Sequence, residues 1–261
     1  MLLAAAGCKS NAPGVSSSPS ASSSVASGAS VASGTNASSS SSAAGQQTAS
    51  SASQKPASAP KSAYKINTIT YKFDQGSKSF RVEYPQLSGS GNYSSVNAAL
   101  KQTAMKTADS IGTGNTSSFA EVKVSSHVDY FSSDFLSVQF QESSRTSRTA
   151  DRTQAFRTVN YDLKNSKALS ADDLIRKNGA LTTAVKNTVT KQMAPKKQQL
   201  YTDSVISSGL NGCSVYFKAD KFGISLPVSA SLGNHVELTM DYKDTAGFHT
   251  DSAVWSYFIK K

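Results

Sequence analysis

Four arginines crowd one short stretch of the chain, Arg145, Arg148, Arg152 and Arg157, with Glu142 and Asp151 as the only acids nearby. A guanidinium is planar, permanently charged and carries a fork of donors that matches phosphate and carboxylate oxygens. The group lies between two strand-like runs, so a hairpin tip would gather these donors on a small surface. Such a surface suits an anionic ligand: a teichoic acid phosphate, an acidic glycan or an acidic protein. The same charges would also blunt an exposed strand edge against pairing with another sheet, which is the commoner use of such a run. Both readings stand on the sequence.

Other chemistry is sparser. The histidines are His127, His235 and His249, and no His-x-x-x-His or Gly-x-Ser-x-Gly pattern contains or accompanies them. Asp241, Asp244, His249 and Asp251 combine oxygen and imidazole donors, but their spacing fits no known metal loop and reads as solvated turns. Asp172 and Asp173 are adjacent, so on a helix their carboxylates point apart. Cys213 precedes an apolar run and reads as a buried, unreactive thiol. Ser58/Lys61 and Ser62/Lys65 match Ser-x-x-Lys, as expected by chance in a serine-rich stretch. Lys196 and Lys197 follow Pro195 as a solvated helix end. No cofactor motif is present, and the reading is of a protein that is not an enzyme, with a hydrolase assembled from distant residues as the alternative.

The chain has 261 residues, with 27 Lys+Arg against 17 Asp+Glu and a net charge of +10. Residues 63–261 suffice for one domain that buries its own core. No stretch is apolar for long enough to span a membrane as a helix. A basic surface could attract nucleic acid, but no aromatic-basic motif accompanies it, and nucleic acid is not expected. Ser and Ala dominate residues 15–60, and no acid precedes Asp74. Residues 9–62 hold almost no large apolar side chain and cannot offset their ordering entropy. They are predicted to be a disordered linker with a span of roughly 40 Å.

Ala5-Ala6-Gly7-Cys8 resembles the lipobox of bacterial lipoproteins. In that family the signal is cut before the cysteine, and its thiol receives diacylglycerol. Residues 1–8 are then read as the end of a signal whose charged start and apolar core lie upstream, with Cys8 as the lipidated residue. Two acyl chains are enough for stable anchoring. The expected location is extracytoplasmic, lipid-anchored to the cell membrane.

The elements that must position these residues follow from periodicity. Tyr64–Phe73 alternates with a phase slip near Thr68, which predicts a strand with a bulge. Phe80, Val82 and Tyr84 predict a second strand before Pro85. Val96, Leu100, Ala104 and Ile111 share a helical face behind Ser94 or Ser95 as cap. Strand-like runs follow at Phe119–Tyr130, with a slip between Val124 and Val128, then at Phe135–Glu142 and Gln154–Leu163. Ser170 and Asp173 predict a capping box on a short helix, Asp172–Lys177, with Asn178-Gly179 as its stop. Leu181, Val185, Val189 and Met193 stripe a further helix ending at Pro195. Val215–Lys218 and Phe222–Val228 predict a hairpin, Val236–Tyr242 another strand, and Val254–Ile259 a last apolar segment of open role. Grouped rather than alternating elements predict an α+β domain: antiparallel sheet with two or three packed helices, one domain after the N-terminal tether.

The order of these pieces is similar to the extracellular domain shared by RsiV-type anti-sigma factors and PdaC-type deacetylases. The resemblance is carried by Tyr84-Pro85-Gln86-Leu87, the Asn97–Ile111 helix, Phe135–Phe140, Val159–Ile175 and the closing runs Phe222–Pro227 and Val236–Tyr242. It covers about residues 64–248. Ser166 stands where the family has a turn glycine, and the arginine hairpin replaces a Gly-Gly-Ala-His segment, so ligand contacts made there are not carried over. The resemblance implies a sheet-rich extracytoplasmic domain that binds protein or glycan, with lysozyme as the partner of the anti-sigma members. A basic domain would be repelled by basic lysozymes. The expected function is therefore a cell-surface lipoprotein whose non-catalytic domain binds an envelope polymer, such as an anionic wall polymer or peptidoglycan, or an extracellular protein. The alternatives are a lysozyme-binding sensor or decoy, and an unrecognised envelope hydrolase.

Overall fold

The structure, a computed structural model, describes residues 64–259 and the backbone of 46–50. Cys8, most of the 9–62 segment, and Ser58, Lys61 and Ser62 lie outside the described residues. The strands are β1 Gln46–Ser50, β2 Tyr64–Gln75, β3 Lys78–Gly89, β4 Ala120–Phe131, β5 Phe135–Arg145, β6 Thr153–Asp162 and β7 Lys167–Leu169, followed by β8 Ser214–Phe217, β9 Lys221–Pro227 and β10 His235–Asp241. The helices are α1 Ser94–Ile111, α2 Ala171–Leu174, α3 Gly179–Gln192, α4 Pro195–Gln198 and α5 Asp203–Asn211. Strands β1 to β7 form one sheet in chain order, and β10-β9-β8 form a second. The expected α+β class holds. All pairs are antiparallel except β3 with β4, which run parallel because α1 connects them.

Helix α1 buries Val96, Leu100, Ala104, Met105 and Ala108 in one cluster with Phe80, Val82, Val124, Val138 and Phe140 of the large sheet. Each fully buried large side chain there adds about 1.5–3 kcal/mol. The helix has no basic residue in its own last turn. Lys78, buried at the start of β3, supplies one: its Nζ donates to the carbonyls of Gly112 at 2.8 Å and Gly114 at 3.1 Å. This places a cation at the negative end of the helix dipole.

Three local expectations change. Residues 46–50, within the 9–62 segment expected to be a disordered linker, form β1 and pair with β2 from Gln46↔Lys72 to Ser50↔Thr68, because the edge of β2 offers them backbone partners. The phase slip near Thr68 is not a bulge, since β2 and β3 pair without a break from Tyr64↔Gly89 to Gln75↔Lys78. The more deeply buried side switches between the Thr68↔Pro85 and Ile69↔Tyr84 pairs, so the slip records which face is covered. The real irregularity falls later, where the β4–β5 register shifts between Val128 and Tyr130 and leaves Asp129 as the extra residue. Asn178 does not stop α2. It is extended (φ −114°) and accepts from the Leu181 amide as the N-cap of α3. The Ser170/Asp173 capping box is present, and Ser170 and Lys167 hold the Asp173 carboxyl down at about 2.

The second core joins Leu181, Val185 and Val189 of α3 and Ile206 and Leu210 of α5 to the three-stranded sheet. Residues 253–259 neither add a strand nor trail. Ala253–Tyr257 is a 3-10 turn that buries Trp255 in this core, with its indole nitrogen donating to Leu174 O at 2.8 Å. The free edge of β10 is covered by Gln192, whose amide both donates to and accepts from the Thr239 backbone.

A small set of polar side chains joins the two sheets. Ser137 on β5 and Asn160 on β6 lie opposite each other and are fully buried. The Ser137 hydroxyl donates to Asn160 Oδ1 at 2.8 Å and accepts from the Phe217 amide at 3.0 Å, while Asn160 Nδ2 donates to Val215 O at 2.7 Å. Asn160→Ala leaves the Val215 carbonyl and the Ser137 hydroxyl short of partners. We expect a loss of about 2–4 kcal/mol in urea unfolding. A loss below 0.5 kcal/mol would show that the junction does not depend on this pair.

Candidate functional site

The strand registers decide what shares a face. On β2, β3 and β4 the face away from α1 is exposed and polar. Lys72 pairs with Arg81, Arg81 with Lys123, Lys123 with Ser143, and Ser143 with Gln154. Paired residues project to the same side, so three cations on adjacent strands, about 4.8 Å apart, form a row that continues into Ser143 and Gln154. Gln154 donates to Ser143 at 3.1 Å. Arg81 also pairs with Glu83 at 2.9 Å, whereas Lys123 is exposed and has no ion pair among the described residues. A groove of about 500 Å³ runs over this row, lined by Ser79, Arg81, Glu121, Lys123, Ser143 and Arg152.

The arginine hairpin closes one end of the groove. Arg145 lies opposite Glu121 and grips its carboxylate with two bonds of 2.9 and 3.0 Å, and Arg152 reaches the same carboxylate. Arg145 and Arg152 hold the Glu121 carboxyl below the usual carboxylate range. Arg145 and Arg148 stand over the Phe119 ring, at 5.2 and 4.8 Å from its centre. The structure therefore brings Arg145, Arg148 and Arg152 around one acid and one ring. It separates Arg157, which points to the other face. There it pairs with buried Glu142 at 2.6 Å and donates to Thr107 of α1 at 3.1 Å.

A second polar group went unseen in the sequence. The three-stranded sheet covers the β5–β6 part of the same face, and at that border lie His127, Asp129, Gln139 and Gln141 of the large sheet. Tyr216, Lys218, His235 and Glu237 meet them from the small one. The bulge turns Asp129 inward, so that its side chain is fully buried (0 % exposed). Neither carboxylate oxygen has a hydrogen-bond partner of ordinary geometry among the described residues; Lys218 Nζ lies 3.9 Å away and the His127 ring nitrogen Nε2 4.0 Å away. Burial pushes the Asp129 carboxyl up to about 7, with Glu237 adding to the effect and Lys218 and the Gln139 side chain opposing it. Glu237 moves the other way, held low mainly by His235 at 3.7 Å. Tyr216 donates to Glu237 at 3.3 Å. Its ring lies across Gly223, where a Cβ would come within 2.1 Å of it, so only glycine fits at that position.

Two carboxyls displaced in opposite directions are the pattern of an acid/base pair. Here Asp129 has no exposed surface to offer a substrate. No hydroxyl is bonded to either His127 or His235 among the described residues. The slip within the Phe119–Tyr130 run and the histidines His127 and His235 were the sequence signals for this group; Asp129 itself was not singled out.

The remaining candidates resolve into local pairs. Asp241 binds Lys221 at 2.6 Å, Asp251 binds Arg176 at 2.8 Å, and His249 Nδ1 lies 3.0 Å from Thr250 O. No three of the metal-binding side chain types cluster among the described residues. Cys213 is buried, and burial raises its thiol. No described helix is long and apolar enough to cross a membrane.

A scan of protein-family models and a search of curated proteins return no match. Solved structures do. A DUF3298 family member from Bacteroides fragilis superposes with a TM-score of 0.54 at 15% identity, covering 77% of this chain and 99% of that one. A DUF3298 family protein from Pseudomonas aeruginosa gives 0.52 at 11% identity, covering 76% and 98%. At these identities the likeness establishes the fold alone.

Arg157→Met strands the buried Glu142 carboxylate, and we expect it to destabilise the domain by about 3–5 kcal/mol in denaturant unfolding. Arg148→Met should change stability by less than about 0.5 kcal/mol. Equal effects would contradict the separation of these arginines into a structural and a surface group.

Proposed function

We propose that this domain is a non-catalytic reader of an anionic envelope polymer, displayed outside the cell from a lipid anchor on Cys8. The observation that carries the reading is the cationic row across the open sheet face. Arg81, Lys123 and Arg152 line one groove whose single acid, Glu121, is already engaged by Arg145 and by Arg152 itself. A long groove without an enclosed cavity suits a polymer that is held by repeated charge rather than by a fitted pocket. Hydroxyls and amides interleave with the cations at Ser79, Ser143 and Gln154, as a sugar- or glycerol-bearing phosphate chain requires. Phosphate groups spaced along such a chain would displace counterions from several cations at once, which makes retention depend steeply on salt.

The burial of Asp129 and the unmatched histidines support the non-catalytic reading over a hydrolase. The surplus of cations on the open face supports an anionic polymer over a basic lysozyme. The Ala5-Ala6-Gly7-Cys8 start and the serine- and alanine-rich segment behind it support the anchored, extracytoplasmic placement.

Purified domain should be retained by immobilised teichoic acid at 50 mM salt and lost by 200 mM. The Arg81→Ala/Lys123→Ala/Arg152→Ala variant should shed roughly one unit of salt slope for each cation that contacts phosphate. Retention indifferent to both salt and this variant overturns the reading, and retention by lysozyme alone replaces it with the decoy. For the anchor, mass spectrometry of the native protein should find diacylglyceryl on Cys8, and an unmodified Cys8 thiol refutes it.

A further inference from the structure

The border between the open face and the small sheet holds a carboxyl that the binding groove does not use. We propose that Asp129 is a proton switch for the anion-binding face: when its carboxylate takes a proton from solvent, the Lys218 ammonium is released from neutralisation and is offered to a bound polyanion. This regulation rests on the anionic-polymer reading.

The geometry supplies the parts. Asp129 is the bulged residue of β4, and its oxygens have no hydrogen-bond partner of ordinary geometry among the described residues, the nearby Gln139 amide offsetting only part of the cost of burial. Lys218 follows β8, with its Nζ 3.9 Å from Asp129 Oδ1 and 5.5 Å from the centre of the Tyr216 ring. Its side chain is 41 % exposed, so the cation is within reach of solvent and of a ligand while the acid is not. His127, on the same strand, is 64 % exposed and lies four residues along β4 from Lys123. A polymer crossing the row can therefore extend to this border, roughly 13 Å away along the strand.

The charged and titratable groups facing Asp129 come from each neighbouring element. His127 is on β4, Tyr216 is on β8 and Lys218 directly follows it, and Glu237 lies on β10 with His235 behind it. Tyr242 follows β10, and Asp220 lies in the β8–β9 turn. Gln139 is the uncharged neighbour on β5. Glu237 stays ionised through His235, and Tyr216 and Tyr242 are raised by burial, so neither phenol ionises near neutrality. Asp129, lifted to about 7 by burial, is the buried acid that changes charge there. The sign follows: below that value Lys218 stands unneutralised, and the face gains one positive charge. Above it Asp129 and Lys218 cancel. In unfolded chain the same acid titrates near about 4, so its ionisation also weakens the fold as pH rises through 4 to 7.

The test uses the full chain with long-chain inorganic polyphosphate as probe, at pH 6 and pH 8 and constant ionic strength. Wild type should bind about threefold tighter at pH 6, from one added contact at a partly screened site. Asp129→Asn, neutral at both pH values, should bind tightly at both, with a ratio near one. Lys218→Met should bind at the weaker level at both. His127→Gln should keep the wild-type ratio, which excludes the surface imidazole as the source. The carboxyl carbon of Asp129 should titrate near neutrality by NMR. A pH ratio that survives in Asp129→Asn, or an Asp129 carbon that titrates near about 4, overturns the switch alone. No polyphosphate binding at either pH overturns the binding reading, and the regulation with it.

Discussion

An edge strand inside a protein leaves backbone groups that water cannot reach. In this domain β8 is such a strand, and the fold is organised around its needs. Its Phe217 amide and Val215 carbonyl find Ser137 and Asn160, two short polar side chains on the face of another sheet. Two apolar surfaces could slide past each other at small cost. Two directed bonds to a strand edge cannot, because each displaced bond leaves a buried donor or acceptor unpaired. The small sheet is thereby held at one place and one angle over β5 and β6.

That placement divides the large sheet. One face packs against α1. The other is half covered by the small sheet and half open. The cationic row lies on the open half because the registers of β2 through β5 align Lys72, Arg81 and Lys123 there. Asp129 is trapped at the boundary, where the bulge turns it under the small sheet.

The four arginines show how little residue type alone decides. All carry the same group within one short stretch. Arg145 is spent on Glu121, directly across the strand pair. Arg157, on the opposite side of β6, bridges the sheet to α1 through a buried acid. Arg148 and Arg152 retain surface on the hairpin tip. Period-two alternation separates Arg157 from Arg152 by an odd number of residues, so their opposite faces were in principle readable. Which face the helix covers was not. The DUF3298 structures share this scaffold at very low identity, as expected when short blocks of core pattern, rather than surface residues, maintain a fold.

The sequence by itself determined the α+β class, nearly every strand, the capping box at Ser170 and Asp173, the two helical stripes and the charge of the arginine hairpin. These depend on contacts close in the chain: periodicity, caps and turns. It read a bulge into β2 that the pairing does not have and misread Asn178 as a stop, because in each case the deciding partner lies elsewhere in the fold or on the next helix. Only the tertiary structure decided the parallel β3–β4 pair, the cation row and the burial of Asp129. Each joins residues far apart in sequence through strand register, and a shift of one residue would send every side chain to the other face. Local physics names the elements. The surface they make together is set by which elements pair, and in what register.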